Sequence, residues 1–307
     1  MCERNRISVI IPVYNEAPNI AELYARTRAV LPHCEIIMVD DGSSDRSLLE
    51  ITELTKKDHQ VKLISFSRNF GHMIALSAGL DQASGEAVIM MDADLQHPPE
   101  LIPELIKRWE AGADIVNTIR KDAKEAGFLK RTTAALFYGL INKIAKINLP
   151  ANSADFRLLD RGVVETLRGI KERSRFLRGL ISWVGYKQEF ISYQAKERFA
   201  GRTKYSFSKM FSFALDGITS FSAFPLRLAT YLGLLMSFFS FLYVLYAVYV
   251  KLFTNQAIAG WTSVLVAVLL IGSVQLVFLG VIGEYLSRVF DETKERPLYI
   301  ISKKIGF

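Results

Sequence analysis

The stretch VIMMDADLQHPPE, Val88 to Glu100, decides how this chain is read. An apolar run leads straight into two carboxylates one residue apart, followed by a glutamine, a histidine and two prolines. A buried strand that ends in paired acids must reach water or hold something positive, because an unpaired charge is costly in an apolar interior. Side chains two apart on a strand face the same way, so Asp92 and Asp94 are expected to converge while Ala93 points elsewhere. Two hard oxygen ligands with open positions suit Mg2+ or Mn2+, and Gln96 is close enough to assist. Asp-x-Asp is common by chance, so its weight comes from its place at the end of an apolar strand.

Working outward, the first 120 residues alternate strand and helix. ISVIIPVYN reads as a strand, with a helix around Asn19 to Leu31. EIIMVDDGSSD is a strand entering a turn, with Asp45 as N-cap of the next helix. VKLISFSRN, EAVIMMDAD and DIVNTIR are further strands, separated by helical HMIALSAGLDQA and ELIPELIKRWEAG. Near-continuous apolar strands alternating with helices predict a mostly parallel α/β sheet covered on both faces. Ligands of such sheets bind outside the carboxyl ends of the strands. Four polar clusters fall there: Tyr14-Asn15-Glu16, Asp40-Asp41-Gly42-Ser43, Ser67-Arg68-Asn69 and Asp92-Ala93-Asp94. Asp41 is placed to accept hydrogen bonds from a base. Neither GxxxxGK[ST] nor GxGxxG occurs, which argues against a P-loop NTPase or a dinucleotide oxidoreductase.

Hydrophobicity is concentrated late in the chain. Leu228 to Val250 and Leu252 to Gly283 carry no charge, and about 20 apolar residues suffice to cross a bilayer. Half of the 307 residues are hydrophobic, yet the net charge is +7. Mean hydropathy is +0.20 and the isoelectric point is near 9.3. Arg198, Arg202, Lys204, Lys209 and Arg227 precede the first apolar run, and Arg288, Lys294, Arg296, Lys303 and Lys304 follow the second. The positive-inside rule then puts both chain ends and the large N-terminal part on the cytoplasmic side, and the expectation is a multi-pass protein of the inner (plasma) membrane. Basic charge beside membrane spans also disfavours a nucleic-acid binder. Two cysteines suit a reducing compartment, and with four scattered histidines they form no zinc site. The opening MCERNRISVIIPVYNE reads as the approach to a strand, not as a signal peptide.

ISVIIPVYNE, VDDGSSD, RNFG and DADLQHPPE, in this order, resemble the family 2 glycosyltransferases of GT-A (Rossmann-like) fold. DFRLLDR, ERFAGRTKYSF, the paired apolar runs and GEYLSRVF…ERPLY narrow the resemblance. They are similar to the polyprenyl-phosphate branch, with its dolichol-phosphate mannose synthases and GtrB-type bactoprenol glucosyltransferases.

The resemblance implies inverting sugar transfer from a nucleotide diphosphate to a polyprenyl phosphate, with Mg2+ or Mn2+, for cell-surface glycan modification. UDP-glucose is the first choice of donor; GDP-mannose and a UDP-aminoarabinose derivative are alternatives. It places Pro12, Tyr14, Glu16, Asp41 and Asp92 at the donor nucleotide, and Asp92, Asp94 and Gln96 at the metal and diphosphate. Asp155 and Arg157 fall at the catalytic position, although Ala154 stands where relatives often have Gly. A phosphate monoester is mostly a dianion near neutral pH, since its second pKa is ~6. Asp155 is therefore expected to orient Arg157 or the donor sugar more than to accept a proton.

Arg120, Arg131, Arg198, Arg202 and Lys204 are the candidate acceptor-phosphate residues. His72 and His97 read as structural. The expected organisation is a catalytic domain over 1–205, interfacial helices over 206–226, and a two-helix membrane hairpin over 227–283 with spans near 228–250 and 261–283. A cytoplasmic tail over 284–307 completes it. Small residues in the spans (Gly233, Ser237, Ser240, Gly272, Gly280) suggest a homo-oligomer. A processive polysaccharide synthase is disfavoured, because two short-looped spans make no channel and no QxxRW follows DFR. A non-catalytic membrane subunit is the non-enzymatic alternative, against which the intact Asp92, Asp94 and Asp155 stand.

Overall fold

The structure is a computed structural model that describes residues 6–121, 153–173, 175–194, 222–253 and 260–307. The chain divides into two compact units, one of Met1–Gly217 with Arg296–Phe307 and one of Ile218–Glu295.

The first unit is built on a sheet that has eight strands among the described residues, in the order β7-β5-β6-β4-β1-β2-β3-β8. The strands are β1 (Ile7–Val13), β2 (Glu35–Asp40), β3 (Val61–Phe66), β4 (Ala87–Met90), β5 (Ile115–Lys121), β6 (Ser153–Asp160), β7 (Gln188–Gln194) and β8 (Ile301–Ile305). β1 pairs in parallel with β2 and β4, β2 with β3, and β5 with β7. β6 runs antiparallel between β4 and β5, and β8 runs antiparallel along β3. β1, β2 and β4 are buried along their whole length, as expected of strands covered on both faces. Val9, Ile10, Ile11, Ile36, Ile37 and Met38 are fully buried, each side chain contributing about 1.5–3 kcal/mol.

The covering helices include α1 (Ala17–Val30), α2 (Ser47–Lys57), α3 (His72–Gln82), α4 (Ile102–Glu110), α5 (Arg161–Gly169) and α6 (Leu177–Trp183). α3 lies close on β1 because Gly79 has no side chain; a Cβ there would collide with Ile10 Cγ2. His72 is the first residue of α3. Asp45 is not the N-cap of α2, since Arg46 holds that position. From one residue upstream Asp45 accepts from Ser47 N–H (2.9 Å) and Ala17 N–H (3.2 Å), serving the starts of two helices.

The structure gives the segment over 284–307 regular elements of its own. The last helix runs to Thr293, and Ile301–Ile305 joins the sheet as β8. ISKKI shows no hydrophobic alternation because β8 is an edge strand with mostly exposed side chains, and lysines are the usual guard of such an edge.

The second unit holds α7 (Phe224–Phe253, 30 residues) and α8 (Trp261–Thr293, 33 residues), both long and apolar enough to cross a membrane. Tyr285 Oη donates to Ser222 O at 2.6 Å, so the late part of α8 lies beside the start of α7. Tyr231, Leu234, Leu276 and Val277 are exposed, as suits faces that lipid would cover. At 1.5 Å per residue α8 is about 50 Å long, against a hydrocarbon core of about 30 Å. It outruns the span expected to end at Gly283 because Glu284 and Arg288 form an i,i+4 pair (3.1 Å) that favours continued helix. Nearly all of the expected interfacial region, 206–221, lies outside the described residues.

Candidate active site

The first corner of the site lies where β1, β2 and β3 end. Asp41 is 2% exposed, and both carboxylate oxygens face the loop that follows β3. Oδ1 accepts from Phe70 N–H (2.7 Å), Oδ2 accepts from Asn69 Nδ2 (2.9 Å), and Gly71 N–H reaches both (3.2 and 3.0 Å). Burial raises the Asp41 pKa above the ordinary carboxylate value, against the lowering effect of the Phe70 and Gly71 amides. Asp41, expected to accept from a base, is thus engaged in holding the Asn69–Gly71 loop.

Gly42 allows the close fit. Its φ is +69°, and a Cβ there would lie 2.5 Å from Arg68 C. Asn15, at φ +55°, ties the β1 end to the same corner, Oδ1 accepting from Ser44 N–H at 2.8 Å. Pro12 is buried within β1 opposite Val39, and Tyr14 follows at 41% exposure. Glu16 accepts from Asn19 Nδ2 (2.6 Å), and its own N–H donates to Ser47 Oγ (3.0 Å).

The second corner is the Asp92–Gln96 loop. β4 ends at Met90, so the two acids stand on a turn and not on the strand. The in–out alternation of burial nevertheless outlasts the strand. Met91, Ala93, Leu95 and His97 are buried, while Asp92, Asp94 and Gln96 are half-exposed on the other side. Leu95 sits at φ +61°, and His97 stacks on Phe156 (5.3 Å) and accepts from Asp92 N–H through Nδ1 (3.1 Å). Gln96 presents Oε1 to Arg120 Nη1 (3.2 Å), which brings Arg120 to this loop.

Asp92 Oδ1 is buried without a hydrogen-bond partner, although His72 Nε2 lies 3.4 Å away. A buried anionic oxygen of this kind beside Asp94 fits a divalent cation. Among the described residues no group of three or more His, Cys, Asp or Glu side chains could hold a metal. Beside Asp92 and Asp94, water and ligand oxygens would complete a coordination shell, which is usual for Mg2+.

The third element is an ion cluster. Asp155, 4% exposed on β6, accepts two hydrogen bonds from Arg178, Nε to Oδ1 and Nη2 to Oδ2, both 2.7 Å. Arg157 Nη2 donates to Oδ1 (3.2 Å) and to Ala154 O (2.9 Å). His72 Nε2 lies 3.6 Å from Oδ2. Burial alone would raise the Asp155 pKa, but Arg178, His72 and Arg157 hold it well below the usual carboxylate range. Burial brings Arg157 down to about 10, still charged at neutral pH. Desolvation disfavours the His72 imidazolium, yet Asp92 and Asp155 outweigh it and raise the pKa to about 9. With both oxygens engaged by cations, Asp155 is a poor proton acceptor and a strong anchor.

His72 and Arg178 were not expected in the site. His72 follows the RNFG motif directly, a usable signal; Arg178 stands in irregular RSRFLRGL, which offers none. Of the expected acceptor residues, Arg131, Arg198, Arg202 and Lys204 lie outside the described residues.

The Glycosyl transferase family 2 profile matches residues 8–168, the stretch that builds these corners, and the chain belongs to that family. It is a glycosyltransferase of GT-A fold. The GtrB C-terminal hairpin profile matches residues 224–289, the paired apolar helices. The uncharacterised glycosyltransferase YkcC of Bacillus subtilis (strain 168) is 47% identical over 100% of this chain and 96% of its own. The bactoprenol glucosyl transferase of Shigella phage SfII is 45% identical over 97% of this chain and 98% of its own. The solved mannosyltransferase PcManGT of Pyrobaculum calidifontis, in complex with GDP-Man and Mn2+, aligns at TM-score 0.46 and 21% identity, covering 66% of this chain and 59% of that one.

Proposed function

We propose that the enzyme transfers glucose from UDP-glucose to undecaprenyl phosphate or a related polyprenyl phosphate, with inversion, at the cytoplasmic membrane face. The observation that carries the reading is the buried Asp92 Oδ1, which accepts no hydrogen bond and faces His72 Nε2 at 3.4 Å, beside Asp94 at the strand edge where a diphosphate would lie. Full-length similarity to bactoprenol glucosyl transferases supports the lipid-phosphate acceptor and the glucose donor. Asp92 and Asp94 would hold Mg2+ or Mn2+, which when bound offsets charge on the departing diphosphate. Gln96 and Arg120 add a hydrogen-bonding amide and a cation beside them.

In the reaction an acceptor phosphate oxygen forms the bond to the sugar C1 as the C1–diphosphate oxygen bond breaks. The dianionic acceptor needs orientation, not deprotonation. Asp155 supplies order: it fixes Arg157, Arg178 and His72 next to Asp92. In this reading Pro12, Tyr14, Glu16 and Asp41 form the nucleotide corner. Arg131, Arg198, Arg202 and Lys204, with Arg120, meet the acceptor phosphate. β8 returns the chain to the sheet it left before α7, so two crossings would bring it back to the face of departure. The basic flanks favour the cytoplasm as that face.

The test is transfer by detergent-purified full-length protein, given undecaprenyl phosphate, Mg2+ or Mn2+, and labelled UDP-glucose, UDP-GlcNAc or GDP-mannose in separate reactions. Label is expected in the lipid phase from UDP-glucose. Transfer from GDP-mannose alone would move the donor assignment. Nucleotide binding without lipid labelling from any donor would favour a non-catalytic subunit.

A further inference from the structure

The ERPLY motif and the strand after it have no part in the site as described so far. They nevertheless reach it along two lines. The Tyr299 ring stacks on Phe66 (5.1 Å, 19°), Phe66 meets Phe70 edge-on (5.6 Å, 85°), and Phe70 N–H donates to Asp41 Oδ1 (2.7 Å). Tyr299 is itself held, its hydroxyl donating to Asp81 Oδ2 at 2.9 Å near the end of α3. The second line starts at Ser302, whose Oγ donates to Ser65 O (3.0 Å). Ser65 Oγ donates to Asp40 Oδ2 (2.8 Å), and Asp40 Oδ1 accepts from Ser43 N–H (3.1 Å). Between the two lines Ser67 N–H donates to Ile300 O (3.0 Å), and the β3–β8 register shifts between Ser65 and Phe66. Both acids at the end of β2 are therefore braced from residues that follow the second apolar helix.

We propose that Tyr299 and Ser302 are positioning residues for the donor nucleotide, holding the Asp40–Asp41 corner and the Asn69–Gly71 loop in the geometry that binds it. The inference rests on the reading that this corner takes the nucleotide. A brace that served stability alone would affect both substrates equally. This one touches the corner at the ends of β2 and β3, and neither line passes through Asp155, Arg157 or Arg120.

The test uses full-length protein in detergent. Tyr299→Ala is expected to weaken UDP binding and raise the donor KM about 3- to 10-fold, the scale of a lost aromatic pair. kcat and the lipid-phosphate KM should stay within about twofold, small against that scale. Without nucleotide, the Phe70 and Gly71 amides should exchange faster by a similar factor. Tyr299→Phe keeps the stack and should restore most of the loss. Lys304→Ala, on β8 but bonded to Gln82, serves as control. Should Tyr299→Ala fail to fold, Ser302→Ala removes one hydroxyl and should raise the donor KM about 2- to 10-fold. Unchanged amide exchange, an unchanged donor KM, or an equal loss toward both substrates overturns the proposal. If the parent protein binds neither UDP nor GDP, the nucleotide reading itself has failed and this inference falls with it; normal UDP binding with an indifferent Tyr299 sinks the inference alone.

Discussion

Asp94→Ala is expected to lower kcat/KM for sugar transfer by about 10³-fold while the protein stays folded. The activity loss follows from the sparse donor set. Asp92 and Asp94 are the two acids of the loop, and removing one halves the anionic charge offered to a divalent ion. A metal that offsets leaving-group charge contributes several kcal/mol, and about 4 kcal/mol corresponds to 10³-fold in rate. The fold should survive because Asp94 is half-exposed and its Oδ1 accepts from Gln96 N–H (3.1 Å) within the same short loop. Steady-state kinetics across a Mg2+ or Mn2+ titration, with a thermal melt beside them, measures both halves. A variant as active as the parent would remove the metal assignment.

Asp155→Ala should behave in the opposite way, losing stability as well as activity. It leaves Arg157 buried and breaks a two-point contact with Arg178. Removing one partner of a buried ion pair costs about 3–5 kcal/mol, or roughly 10 °C in the unfolding midpoint of a domain this size. The pH dependence has a definite sign. The folded pKa of Asp155 lies well below its unfolded value of ~3.9, so the group stabilises the fold above about pH 4. That contribution is lost as pH falls through the folded pKa. Melting curves of parent and Asp155→Asn should therefore differ at pH 6 and converge in acid. A difference that persists unchanged into strong acid, or an Asn variant as stable as the parent, would contradict an anchored carboxylate.

Much of this architecture is legible in the residues. The apolar strands and the polar clusters at their ends announced a mostly parallel sheet with its ligand edge at Tyr14, Asp41 and Asp92. Asp92 and Asp94 share the partly exposed side of an in–out alternation, but that alternation is carried past Met90 by a turn and not by the strand. Asp41 carried a different limit. Its type and place were visible, but only three dimensions show that the amides of Phe70 and Gly71 occupy it. Arg178 escaped because ion pairing between β6 and α6 leaves no periodic mark. β8 escaped because an exposed edge strand carries lysines where a buried one would carry valines. His72 was visible and undervalued, since a lone histidine beside a motif is more often structural; here two carboxylates lie within 3.6 Å of its Nε2.

The most direct measurement is anomalous scattering from crystals of the full-length protein grown with UDP and Mn2+. The account predicts one Mn2+ peak at Asp92 and Asp94, with the diphosphate on it and the uracil toward Asp41. Manganese bound elsewhere, or UDP seated away from the β1, β2 and β4 ends, would contradict it.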